Sequence, residues 1–142
     1  MTPKQKQILR DSKGMTLLEI MIVLAILGGL MAVLATQVMG RFKKANVEQT
    51  KIQINQIGQA LDMYYTDCGS YPATLEALRS NTDSCNNWGP DPYLKDEPRD
   101  AWGNQLYYER DGGSYYIMSY GEDRREGGEG TAADIRSDQL GK

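Results

Sequence analysis

The 142-residue chain contains no histidine, and neither of its two cysteines precedes position 68. Without imidazole it lacks the commonest general base and the commonest zinc ligand. No nucleophile is placed beside a base either, so catalysis has little to build on. Proline is absent between Pro3 and Pro72, and nothing in that stretch forces a helix to break. Charge is almost absent from Met15 to Met39, where Glu19 is the only ionisable side chain. Positive charge is also in deficit, with a formal net charge of −3. Residues 1 to 14 carry four basic side chains (Lys4, Lys6, Arg10, Lys13) against one acid, Asp11, so losing them would move −3 to about −6. That balance argues against nucleic acid as a partner of the remainder.

What is present is a membrane-length apolar run with one carboxylate near its start. Twenty-five residues suffice to cross a bilayer with some tilt. A charged carboxylate at membrane depth is costly unless it finds a partner, which makes Glu19 a functional residue by default. Residues 1 to 14 read as a targeting leader, polar and basic with no apolar core. An ordinary secretory signal carries its apolar stretch ahead of the cleavage site; here Gly14 precedes it. A cut after Gly14 would leave the apolar segment in place and give Met15 a free α-amino group one helical turn from Glu19. Such a pair makes sense between subunits, and a plain single-pass anchor would have no use for it. The basic leader favours a cytoplasmic amino terminus. Arg41, Lys43 and Lys44 make the far flank basic too, so the leader and the cysteines beyond the run decide the orientation. An even cysteine count there predicts an oxidising compartment and a Cys68–Cys85 disulfide rather than two free thiols.

The helix is expected to continue past the apolar run. Val47, Thr50, Ile54, Ile57, Leu61, Tyr64 and Cys68 recur in steps of three and four, the spacing of one buried helical face. This predicts a single helix of about 50 residues, apolar all round in its first half and amphipathic in its second. After Pro72, residues 74–79 suggest a short helix with Thr74 near its cap. Residues 105–109 and 115–119 read as strands joined at Asp111-Gly112-Gly113, with Tyr93-Leu94 as a further short edge strand. The expected fold is α+β, a long amino-terminal helix packed on a small antiparallel sheet. Its divisions are a leader (1–14), an apolar half-helix (15–39), an amphipathic half-helix (40–66) and a small domain with a cysteine loop (67–142).

The segment Gly14-Met15-Thr16-Leu17-Leu18-Glu19-Ile20-Met21-Ile22-Val23 resembles the processing and assembly signature of type IV pilin-like proteins. That resemblance implies cleavage after Gly14 by a prepilin peptidase, N-methylation of Met15 and a role for Glu19 in assembling helical filaments. Met15 stands where phenylalanine is usual, and Thr36 where many members carry a kinking proline. Further along, Ala60-Leu61-Asp62-Met63-Tyr64, Gly69-Ser70-Tyr71-Pro72, Pro98-Arg99-Asp100-Ala101-Trp102-Gly103-Asn104 and Ser119-Tyr120-Gly121-Glu122-Asp123 resemble the major pseudopilins of type II secretion systems. Membership would imply a structural subunit resting in a bacterial inner membrane with its soluble part in the periplasm. It would imply polymerisation into a short periplasmic filament that drives protein export. The implied partners are further copies of the chain, minor pseudopilins, an inner-membrane assembly platform and the peptidase.

The resemblance also implies calcium in the carboxy-terminal loop. Asp123 and Asp134 would supply carboxylates, and Tyr120, Arg125 and Gly128 backbone carbonyls. Calcium takes six to eight oxygens in a flexible cage, which a glycine-rich loop can form. The family offers a further acid before the last aspartate, where this chain has Thr131-Ala132-Ala133; the alternative is a solvated acidic loop without metal. Two other functions compete with the pseudopilin: a type IV pilin for adhesion, motility or DNA uptake, and a membrane-tethered periplasmic binding domain that never polymerises.

Overall fold

The computed structural model describes residues 14–140. The leader, apart from Gly14, lies outside the described residues. One helix, α1 (Leu17–Cys68), is followed by a 3-10 turn at Leu75–Leu78 and by strands β1 (Tyr107–Asp111), β2 (Ser114–Ser119) and β3 (Ile135–Arg136). The sheet is antiparallel in the order β1-β2-β3. The chain divides into two compact units at Met39/Gly40.

In the first unit every residue from Met15 to Met39 is exposed. No described part of the protein buries these apolar side chains, and the segment reaches a mean hydropathy of 2.7 over its most apolar 18 residues. At Thr36 the hydroxyl donates to the Val33 carbonyl at 3.0 Å, an added bond where proline would have removed a donor.

In the second unit the expected stripe is the buried face of α1. Thr50, Ile54, Ile57, Leu61 and Tyr64 are all buried, and Val47 and Cys68 pack at the edge of the same core. Facing them are Leu75, Ala77, Leu78, Ile117 and Ile135. Gly58 lets the sheet approach, because a Cβ there would lie 2.7 Å from the Tyr115 hydroxyl. Cys68 and Cys85 form a disulfide with Cα atoms 5.7 Å apart, tying the end of α1 to the loop that follows the 3-10 turn. Closing a 17-residue span contributes about 3 kcal/mol in the chain-entropy view.

Not every element forms with the pairing or bounds that the sequence suggests. Tyr93-Leu94 is not a strand: Leu94 N–H donates to Leu78 O, and the Tyr93 ring turns inward against Tyr64 and Trp88. That binds the segment to the 3-10 turn instead of the sheet. The short helix forms where expected, as a four-residue 3-10 turn with Thr74 at its N-cap, which acts through its carbonyl without a side-chain bond. The third strand comes instead from Ile135–Arg136, whose pairing (Met118↔Arg136, Ser119↔Ile135) closes over the terminal loop. The hairpin forms as expected, but β1 lies two residues later than read and takes in Asp111, which pairs with Ser114, while Gly112 turns at a φ of +54°.

Candidate functional site

Two places carry the candidate residues. At the opening of α1, Gly14, Met15 and Glu19 are exposed. Thr16 caps the helix: its Oγ1 accepts the Glu19 N–H at 3.2 Å, and its carbonyl accepts the Ile20 N–H. Thr16-Leu17-Leu18-Glu19 therefore has the spacing of a capping box. A carboxylate in the first turn also sits at the favourable end of the helix dipole. Only the Thr16 half of the box is made among the described residues, a cap that the sequence reading missed although the pattern was visible.

The second place is the loop between β2 and β3. Its start is anchored by Asp100, a carboxylate only 4% exposed. Asp100 Oδ1 accepts the backbone N–H groups of Trp102 (3.1 Å) and Asn104 (2.8 Å), and Oδ2 accepts the Ser119 hydroxyl at 2.8 Å. Ser119 Oγ in turn accepts the Gly121 N–H at 3.2 Å. Thr50 Oγ1 on α1 accepts the Ala101 N–H, so helix, loop and sheet share one polar network. A buried charge is tolerable when its lone pairs are taken up in this way.

From there the loop closes on itself. Gly121 and Gly128 both have positive φ, and a Cβ on either would run into the backbone of Ala132. Asp123 Oδ1 accepts the Arg125 N–H at 3.1 Å, and Asp134 Oδ2 accepts the Gly127 N–H at 2.9 Å. The other Asp134 oxygen, Oδ1, is buried and has no hydrogen-bond partner among the described residues. Glu122 is not free for a metal: Oε1 lies 3.0 Å from Lys43 Nζ, and Oε2 accepts the Thr131 hydroxyl at 3.2 Å. No three His, Cys, Asp or Glu side chains gather as a metal cluster among the described residues. The Lys43–Glu122 pair and the Asp100–Ser119 bond join residues 79 and 19 positions apart, and no local pattern announces either.

The family described as type II secretion system (T2SS), protein G matches residues 37–138, and the prokaryotic N-terminal methylation motif matches residues 9–35. A type II secretion system core protein G of Pseudomonas aeruginosa is 41% identical, covering 89% of this chain and 94% of that protein. The Vibrio cholerae protein of the same name is 38% identical, covering 89% and 92%. The crystal structure of the major pseudopilin from the type 2 secretion system of enterohaemorrhagic Escherichia coli superposes with a TM-score of 0.61 at 28% identity, covering 73% of this chain and 92% of that one.

Proposed function

The chain belongs to the type II secretion system protein G family, and from that premise we propose that it is a pseudopilin subunit, cut after Gly14, methylated on Met15 and polymerised through Glu19. The carrying observation is the register at the opening of α1. Gly14, a new terminus at Met15 and a carboxylate one turn on stand at the head of a wholly exposed apolar segment. That segment fits an inner-membrane anchor, with the amino terminus cytoplasmic and the second unit periplasmic. In a filament the same apolar surface would be covered by the helices of other copies. Minor pseudopilins, an assembly platform and the peptidase are the further partners. The role is structural, and the pilin and tethered-domain alternatives are not favoured by the family match. Mass spectrometry of the membrane form should show loss of residues 1–14 and one added methyl on Met15. An intact Lys13-Gly14-Met15 junction would contradict the reading.

Calcium fits the terminal loop, at a reduced ligand count. Asp123 and Asp134 would hold it with the carbonyls of Tyr120, Arg125 and Gly128, and water would fill the place of the acid missing at Thr131-Ala132-Ala133. The supporting observation is Asp134 Oδ1, a buried carboxylate oxygen with no donor. A bound cation would supply the charge that offsets its burial. Calcium should raise the thermal midpoint of the chain over chelator, and Asp134→Asn should abolish the difference. A midpoint indifferent to chelator would favour the metal-free loop.

A further inference from the structure

The side chains of four basic residues take no part in the function proposed above. Arg41 and Lys44 stand one turn apart on α1, directly after the apolar run ends at Met39, and both are exposed. Phe42 between them is 63% exposed. Arg124 and Arg125 lie far away in sequence, yet the Lys43–Glu122 ion pair fastens their loop to this same stretch of helix. Glu122 is two and three residues from the arginines, so they reach no more than about 11 Å of chain from the fastening point. Thr131 holds Glu122 from the other limb of the loop, and the Asp123–Arg125 turn, with Arg124 at a φ of +59°, keeps the loop tip tight. Arg124 and Arg125 are exposed.

We propose that Arg41, Lys44, Arg124 and Arg125 form a collar that binds the headgroups of anionic phospholipids while the subunit rests in the membrane. The inference relies on the apolar run being a membrane anchor. Charge complementarity and chain continuity select the occupant: the collar begins two residues beyond the last membrane-length residue, and Phe42 adds an apolar body at the same level. Asp123, Glu126 and Glu129 lie in the same loop and oppose the arginines locally. Their side chains are short, whereas Arg and Lys extend along apolar surface and present their charge at headgroup level. Each basic residue at an anionic surface strengthens association by roughly fivefold before such opposition. The Lys43–Glu122 pair acts as a positioning contact that holds the loop half of the collar against the helix half.

The test uses the full-length chain in phosphatidylcholine bilayers doped with spin-labelled phosphatidylglycerol or spin-labelled phosphatidylcholine. The native chain should immobilise the anionic label preferentially. The variant Arg41→Gln/Lys44→Gln/Arg124→Gln/Arg125→Gln should lose at least about threefold of that preference. The leader's basic residues contribute equally to both chains, so the difference reports the collar. Glu122→Gln should fall between the two. Sodium phosphate and sodium chloride at matched ionic strength should reduce the preference equally; a larger effect of phosphate would assign the arginines to a free anion and overturn the proposal. Equal preferences in native and variant chains that both float with the bilayers would refute the collar alone. A chain that does not float refutes the anchor and the collar with it. If the variant keeps its lipid preference but loses assembly, the surface belongs to a neighbouring subunit and the proposal fails.

Discussion

At Gly58 two opposing effects of one methyl group can be weighed. Alanine in a helix interior is favoured over glycine by about 1 kcal/mol, but here the added Cβ would lie 2.7 Å from Tyr115 Oη. The hydroxyl is the end of a ring already packed edge-on against Tyr71, so it cannot yield freely. Gly58→Ala should therefore be neutral or destabilising in the native chain. In a Tyr115→Phe background it should stabilise by up to about 1 kcal/mol. Chemical denaturation of the four chains measures the coupling, and simple additivity would show that the contact is not made. Asp100 illustrates the converse case, a buried charge whose partners are all supplied. Asp100→Ala leaves Ser119 Oγ and two backbone N–H groups without their acceptor, and should cost about 3 kcal/mol or more in the same assay. Glu19 was legible as an anomaly because it is the one charge in an apolar run. Asp100 was not, since an aspartate in a loop rich in turn residues looks solvated until its distant partners are known.

Among the elements, α1 was the most legible, because a 3.6-residue period over six turns has no competing explanation and no proline interrupts it. The hairpin was equally plain, set by a Gly-Gly pair between aromatic runs. What local pattern could not supply was β3, two residues long and specified only by its partner in β2. Tyr93-Leu94 misled for the same reason. Its aromatic and branched residues suit a strand, but tertiary contacts to Tyr64, Trp88 and Leu78 decide its place. In the candidate site, Asp123 and Asp134 were visible as acids flanking glycines, whereas the engagement of Glu122 by Lys43 and Thr131 was not. The disulfide constrains an element that would otherwise be a long loop. Cys68→Ser/Cys85→Ser should lower stability by about 3 kcal/mol with α1 still helical. Circular dichroism on denaturation would register this, and an unchanged midpoint would show that the 3-10 turn holds without its tether.

For the second unit as a whole, tyrosines join helix, loop and sheet. Tyr71 packs against Tyr65 and Tyr115 and donates to Asp62; Tyr108 donates to Pro72 O. Burial, followed by the Asp62 carboxylate, pushes the Tyr71 hydroxyl up to about 12. Burial likewise pushes Tyr108 up to about 12, with Arg110 acting in the opposite direction. A phenol ionising near 10 when unfolded and near 12 when folded contributes stability that is complete below about pH 10 and lost as the pH rises toward 12. Phenolate absorbance and ellipticity should accordingly change together in that window, while independent titration at pH 10 would mean that these rings are open to solvent. Across the whole molecule, the proposed joining of subunits through the Glu19 carboxylate is tested directly by filament recovery. Cells producing the chain with its secretion machinery should yield sedimentable filaments. Glu19→Leu should give a processed, folded, membrane-resident subunit and no filaments; filaments from Glu19→Leu at the native yield would contradict the account.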